Sequence, residues 1–520
     1  MQFGVIPVVP LTFAFFLPIA AILTGRRRWF INAYVLAATG LVMLSAALLA
    51  VEAYHSERPL VYSFGGWIAP VGIVFEVDRF SALLVLTTTV GFFLVAVYAV
   101  DYLSREHGIE YFFTGMLGLE AGVLGAFMTG DAFNLFVMLE VIGASAYSLV
   151  GFYRYRGQSI EGAFKYAISG ALATSLYFLG LGFIYSSLGT LNMADISAQF
   201  HGVSFPLTVA VFGDPKLAVG IFFALTVAMV LVKSAVFPGH YWLPDAYEGA
   251  PVPVAALLSG FVEVVGIYVL ARYLFTVFAG PPYYRDLSLV FLTLGAVSSF
   301  LGAFMMLVQR NLKRLIAYST ILHMGYLFMA LGVMSRLALV AVTYHTINHA
   351  IAKTLLFFAA GSYIFATGTA DIDELAGVGR SMPLTTAAFA VATLSLVGVP
   401  PLNVFFSKML IFDALLQVSP LIASVVVITS AVAAWAYFRA MVTIWRGRTG
   451  AGHGTEKEEP LARRERPVFL LVMLILVLAV VLIGLLSPLL VDRFVLPAAR
   501  QATNYGGYIR AVLELAKGVL

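Results

Sequence analysis

Not one of the 520 residues is a cysteine. That absence removes disulfides, thiolate metal sites, iron–sulfur ligation and cysteine nucleophiles from the functions open to the chain. Charge is nearly as scarce: Asp, Glu, Lys and Arg make up 11% of the residues, where soluble domains carry roughly 25%. Together with a 61% hydrophobic composition and a mean hydropathy of +0.95, this excludes a water-soluble globule. The chain reads as a polytopic membrane protein whose apolar runs are long enough to cross a bilayer repeatedly. No glycine-rich phosphate loop lies between a strand and a helix, so no nucleotide site is indicated. No nucleophile–base pair or metal-ligand set points to a soluble-type enzyme, no cofactor is expected within the chain, and nothing points to nucleic acid. The apolar start, PVVPLTFAFFLPIAAILTG, lacks a basic stretch before it and is followed by Arg26, Arg27 and Arg28. It therefore reads as a retained first span rather than a signal peptide.

The apolar pattern predicts an all-α protein of about 14 transmembrane helices. They lie near 4–24, 30–53, 79–101, 111–129, 131–153, 162–188, 216–248, 252–278, 287–308, 313–334, 337–366, 384–417, 420–446 and 467–490. Spans seven and twelve are too long and carry breakers, FPGHYWLP and GVPPLN. Proline inside a helix removes a hydrogen bond and clashes with the preceding turn. Broken backbone at membrane depth persists only where protein or a watery cavity encloses it. Spans four to eight (111–278) and nine to thirteen (287–446) form two sets of five, each with its broken helix fourth. The odd count makes the second set enter from the opposite side, an inverted repeat. Helices one to three occupy 1–110, a polar loop 447–466, and a last helix with an amphipathic tail (YIRAVLELAKGVL) 467–520. That tail is expected on the surface or docked on a neighbour.

Loop charges set the expected orientation. Arg26–Arg28, then Arg154, Arg156 and Lys165, then Arg310, Lys313 and Arg314, then Arg446, Arg448, Lys457, Arg463, Arg464 and Arg466 all follow odd-numbered spans. That side is read as cytoplasmic, which places both termini outside the plasma membrane.

The few charges inside apolar runs carry the functional signal, because a charge at mid-bilayer costs several kcal/mol and usually lines an ion or proton route. Glu140 and Lys233 are expected to pair, since a partner relieves part of the burial cost; a static bridge between helices is the alternative. His345, His349 and Lys353 recur every four residues on one helix face, a string of titratable groups suited to proton relay. A metal at the two histidines is disfavoured by Lys353 one turn on and by the lack of a carboxylate in that stretch. Lys408 follows the second break and can exchange partners beside unwound backbone, or cap helix-end carbonyls. His240 in the first break is a relay candidate, and Glu263, His323 and Asp413 are accessory candidates. Glu120 lies in an apolar span without an evident partner. Asp245 and Glu248 read as loop ends, and Lys313 and Arg314 as interfacial anchors.

The segments LVKSAVFPGHYWLPDAYEGAPVPVAALLSG, QRNLKRLIAYSTILHMGY, NHAIAKTLLFFAAG and VGVPPLNVFFSKMLI resemble, in order, signature stretches of the antiporter-like subunits of respiratory complex I and the Mrp cation/proton antiporters. GGWIAPVGIVFEVDRFSALLV and NHAIAKTLLFF lean toward the Mrp D-type branch, which includes subunits of membrane-bound hydrogenases and related ferredoxin-linked complexes. The resemblance covers roughly spans two to thirteen. It implies 14 helices in two inverted five-helix repeats and a polar axis at mid-membrane. Glu140 and Lys233 match the family's glutamate–lysine pair, Lys353 and Lys408 its central and terminal lysines, and His349 its frequent preceding histidine. Family members often carry a further lysine in span eight, where this chain has Val264 with Glu263 beside it. The implied function is proton translocation, or Na+/H+ antiport, as a membrane subunit of a respiratory or Mrp-type complex. A stand-alone antiporter and a non-transporting assembly scaffold are the alternatives.

Overall fold

Apolar runs fold here as long helices, and the two runs that carry FPGHYWLP and GVPPLN are each interrupted into two helices. The structure, a computed structural model, describes residues 3–203, 213–280, 284–446 and 465–517. In chain order these hold helices α1 (Val8–Leu23) and α2 (Arg28–His55), a two-stranded antiparallel hairpin of β1 (Leu60–Ser63) and β2 (Val74–Val77), then α3 (Arg79–Tyr102), α4 (Ile109–Met128), α5 (Ala132–Val150), α6 (Gly157–Leu188), α7 (Met193–Phe200), α8 (Pro215–Lys233) and α9 (Leu243–Gly249). There follow α10 (Val252–Val277), α11 (Tyr284–Val308), α12 (Leu312–Gly332), α13 (Arg336–Thr367), α14 (Pro383–Val397), α15 (Asn403–Leu416), α16 (Pro420–Arg446), α17 (Pro467–Leu485) and, after short helical turns, α18 (Tyr505–Lys517).

Thirteen helices among the described residues are long and apolar enough to cross a membrane. The twelfth predicted span is present as α14 and α15, parted by residues 398–402, each half being shorter than a full crossing. Span seven breaks between Lys233 and Leu243 into α8, which is long enough to cross, and the short α9, and there Trp242 Nε1 donates to Val232 O at 2.9 Å, folding the chain back onto the end of α8. Gly398, at φ 95°, turns the chain at the second break in a conformation that glycine adopts without a Cβ clash.

The two predicted sets of five each carry a similar backbone joint. In the first, Ala132 N donates to Leu191 O and Met193 N to Gly130 O, beside the capping Asp131 of α5. In the second, Leu312 N donates to Ala370 O and Ile372 N to Arg310 O, beside the capping Asn311 of α12. Helices α10 and α12 are the most enclosed, with their apolar windows wholly buried; α13 lies against both. The centre of the protein is thus built from three helices that carry titratable groups.

Residues 447–464, most of the predicted polar loop, lie outside the described residues. The predicted amphipathic tail docks on the chain's own fold: Tyr508, Ile509 and Val512 of α18 are buried, and Tyr508 faces the Arg272 guanidinium at 5.6 Å. Arg272, near the end of α10, also binds the capping carboxylate Asp78 of α3 through two nitrogens, at 2.7 and 2.9 Å. Burial alone would raise the Asp78 carboxyl, but the Arg272 charge and its hydrogen bonds, with those from Ser81, hold it below the usual carboxylate range. A folded value depressed in this way contributes stability above the unfolded value of about 3.9 that is lost as pH falls through the folded value. Arg272→Met is therefore expected to destabilise the fold by about 3–5 kcal/mol near neutral pH. In thermal unfolding of detergent-solubilised protein its deficit should shrink below about pH 4; a pH-independent deficit would mean that the ion pair is not its source.

Candidate functional site

Helix α5 is cut close on two sides by small residues. Gly118, Gly122 and Gly125 of α4 face Ser145, Ile142 and Met138, and Gly143 and Gly170 leave room for the Tyr147 phenol. Small residues let helices approach this closely in a membrane. Tyr147 so placed accepts a hydrogen bond from Lys233 Nζ at 3.3 Å, and the ammonium lies 5.8 Å from the ring centroid. Lys233 is the last residue of α8 and is buried. The expected direct Glu140–Lys233 ion pair is not formed among the described residues. Glu140 lies on the exposed face of α5 beside Phe133 and Val137, within electrostatic reach of Lys233 and Tyr147. Its side chain points to the perimeter, where sequence spacing could not place it.

A third buried group is Glu263 of α10. It is fully buried, directly after a widened helical turn, Leu258–Val262. Such single-turn widenings concentrate at functional sites. Its Oε1 accepts the Tyr247 hydroxyl, its Oε2 has no partner among the described residues, and its main-chain oxygen accepts Ser234 Oγ at 2.6 Å. Lys353 lies within its electrostatic reach.

The second half gathers three histidines. His323 Nδ1 and His345 Nε2 share a hydrogen bond at 3.0 Å, and His345 Nδ1 is 2.9 Å from Ser407 Oγ. The His349 ring lies 5.1 Å from that of His323 and has no hydrogen-bond partner on either nitrogen among the described residues. His323 therefore joins the histidine face predicted on α13. Lys353, fully buried, turns to α12, donating to Ile316 O at 3.0 Å and to Ser319 Oγ. Lys408 donates to Val397 O at 3.0 Å and to Ser430 Oγ at 2.9 Å, and lies 5.3 Å from the Tyr326 ring centroid. It thus caps an end carbonyl of α14 and also reaches a hydroxyl next to the histidine cluster, since Tyr326 Oη is 3.1 Å from the same Ser430 Oγ. Each break lysine sits against a tyrosine of the second helix in its own set, Tyr147 of α5 and Tyr326 of α12.

His240 lies in the first break, half-buried and stacked on Phe237 at 5.7 Å; among the described residues no hydrogen bond joins it to Lys233. Asp413 is exposed, away from the buried groups. Glu120 is fully buried with both oxygens unpartnered among the described residues. The groups read as loop ends and anchors are instead one network. Asp245 binds Lys165 and Arg314, each at 2.5 Å; Arg314 and Asn311 hold Glu248 at 2.8 and 3.0 Å; Lys313 caps Glu248 O and Ala250 O. It ties α9 of the first set to α12 of the second on the side of the basic loops.

Sequence reading missed Tyr147, Tyr247, Tyr326, Ser319, Ser407 and Ser430. Their signal was present only in part: hydroxyl residues inside apolar spans are common, and nothing in their spacing marks those that meet a lysine.

A family model described as NADH:quinone oxidoreductase/Mrp antiporter, TM matches residues 129–433, a stretch that holds both breaks and every group from Glu140 to Lys408. NADH-quinone oxidoreductase subunit N of Desulforudis audaxviator is 34% identical over 508 residues, 94% of this chain and 97% of that protein. The D-type subunit of a Na(+)/H(+) antiporter from Alkalihalophilus pseudofirmus is 33% identical over 387 residues, 74% and 75% of the two chains. Among solved structures, a chain of the membrane-bound sulfane sulfur reductase (MBS), an archaeal respiratory membrane complex, aligns with a TM-score of 0.88 at 29% identity, over 98% of this chain and 100% of that one. A chain of the Mrp complex from Dietzia sp. aligns with a TM-score of 0.85 at 22% identity, over 99% and 100%, a likeness of fold.

Proposed function

The chain belongs to the NADH:quinone oxidoreductase/Mrp antiporter transmembrane family, and from that premise we propose that it is an ion-translocating subunit of a multisubunit membrane complex. Protons move along a mid-membrane axis of Glu140, Lys233, Lys353 with His349, His345 and His323, and Lys408. One observation carries the reading: all three lysines are buried and all three are held by neutral oxygens, namely Tyr147, Ser319 with Ile316 O, and Ser430 with Val397 O. A lysine kept for a structural ion pair needs a carboxylate, because an unpaired buried charge is costly. A hydroxyl can accept from an ammonium or donate to a neutral amine, so these sites hold both protonation states.

The exposed Glu140 supports a neighbouring membrane subunit over a stand-alone antiporter. Facing hydrocarbon, a carboxylate costs about 2.5–3.5 kcal/mol even on insertion scales, and a polar neighbour covering α5 offsets that cost. A shift at this contact changes the field on Lys233 and hence its proton affinity. The matched joints at Asp131 and Asn311, and the two breaks with their lysine–tyrosine contacts, support two inverted five-helix sets. The Lys and Arg residues that follow the odd-numbered spans support a cytoplasmic position for the ion network of Asp245, Glu248 and Arg314, with both termini outside the plasma membrane.

The test is proton and sodium flux in vesicles that hold the assembled complex, with Lys233→Ala and Glu140→Ala. Driven flux should collapse in both while the complex still assembles, and the ion whose flux is lost names the cargo. Flux that persists in both variants sinks the reading and leaves an assembly scaffold.

A further inference from the structure

The span-eight lysine that the family resemblance leads one to expect at Val264 is absent, and a carboxyl stands one residue away. We propose that Glu263 is the proton station between the two halves, that it works with Lys353 as a second carboxylate–lysine pair, and that Tyr247 is its positioning residue. This rests on the translocation reading above.

Four observations converge on Glu263. Gly260, one turn earlier on α10, brings the backbone onto α13: a Cβ there would lie 3.3 Å from Thr354 Oγ1, next to Lys353, and 3.4 Å from Ala350 O, one turn before it. Tyr247 packs over the same stretch, its ring 5.6 Å from that of Phe357, one turn beyond Lys353. The Tyr247 hydroxyl donates to Oε1 and leaves Oε2 as the oxygen without a partner among the described residues, in a side chain with no solvent exposure. Ser234, adjacent to Lys233, donates to the Glu263 main-chain oxygen, so the station is tied to both lysines. The titratable groups that act on it from the packed elements are Tyr247 of α9, Tyr166 of α6 and Lys353 of α13.

The step is balanced within these groups and one intervening water. Lys353 Nζ is turned to Ile316 O and Ser319 Oγ and makes no direct hydrogen bond with Oε2, so a hydrogen on Glu263 Oε2 passes through that water to the neutral amine of Lys353. The carboxyl O–H bond breaks, the water takes that proton and gives up one of its own, the N–H bond forms, and a carboxylate is left within electrostatic reach of an ammonium. When Lys353 passes its proton toward the histidines, the carboxylate takes up the next. The tyrosine fixes one oxygen so that the other carries the proton, and the opposite charges compensate each other in an interior where either alone would be expensive.

The experiment uses the assembled complex in vesicles, with Glu263→Gln, Glu263→Asp and Tyr247→Phe beside Lys353→Met. Driven proton flux should fall about tenfold or more in E263Q and about tenfold in Y247F, the effect of losing a charge-assisted hydrogen bond in a rate-setting transfer, while E263D retains most of it. Infrared difference spectra between driven and resting complex should show a carboxyl band that vanishes in E263Q and shifts in Y247F. If K353M abolishes flux while E263Q keeps wild-type flux and band, the station is refuted and the lysine axis stands. If K353M and E263Q both keep wild-type flux, the translocation reading itself fails. Should E263Q not assemble, Y247F decides: wild-type flux with an unshifted band overturns the proposal.

Discussion

Lys353→Met is expected to lower driven proton flux by about a hundredfold or more while leaving the bundle as stable as the wild type. A positioned group that gives and takes the transferred proton commonly contributes 10²–10⁴ in rate, of order. Lys353 is fully buried and bonds only to Ile316 O and Ser319 Oγ among the described residues. Methionine is a flexible unbranched chain that fills irregular gaps. The two lost hydrogen bonds, roughly 1–3 kcal/mol each to a charged donor, are offset by removing a buried charge, and such replacements are often neutral or stabilising. Flux in vesicles and thermal unfolding in detergent separate the two effects. A loss of several kcal/mol accompanying the loss of flux would make Lys353 a structural member rather than a carrier.

The histidines should divide in the same two measurements. His349→Leu is expected to cut flux about tenfold or more with little change in unfolding, because neither ring nitrogen has a hydrogen-bond partner to lose among the described residues. His345→Leu should cut flux and also destabilise by about 1–3 kcal/mol. It removes the bonds to His323 and Ser407 and leaves His323 Nδ1 buried without that partner, while Ser407 Oγ keeps Val404 O. Equal stability losses in the two variants would show that His349 is held as firmly as His345. Removing either ring also tests whether the cluster acts through His323, which the helix-face spacing of α13 alone could not include.

Much of the architecture was legible because its causes are local. Apolar length announces a span, Pro238 and Pro400–Pro401 announce the two breaks, and a charge in an apolar run is visible whatever it touches. The twelfth span was legible in the same way: it was read as broken, and the structure divides it into α14 and α15. The Glu140–Lys233 contact was not legible. Their shared burial suggested a bridge, yet α5 turns Glu140 to the perimeter and offers Tyr147 to the lysine instead. Asp245, Glu248, Lys313 and Arg314 looked like separate loop ends and anchors, because the joining of α9 to α12 is a long-range contact. The tail helix looked free to seek a neighbour, yet it docks beside Arg272.

The sequence alone determined the class of protein, the number and breakage of its spans, and which side chains pose the energetic problem of charge inside a membrane. Those follow from composition and from helix geometry over a few turns. The tertiary structure alone decided how each charge is resolved: neutral hydroxyls for the three lysines, a phenol for Glu263, one another for two of the histidines, and the exposed face for Glu140. A serine or tyrosine that meets a buried amine is the same in sequence as one that bonds its own helix. Only the packing of distant helices brings the two within hydrogen-bond distance.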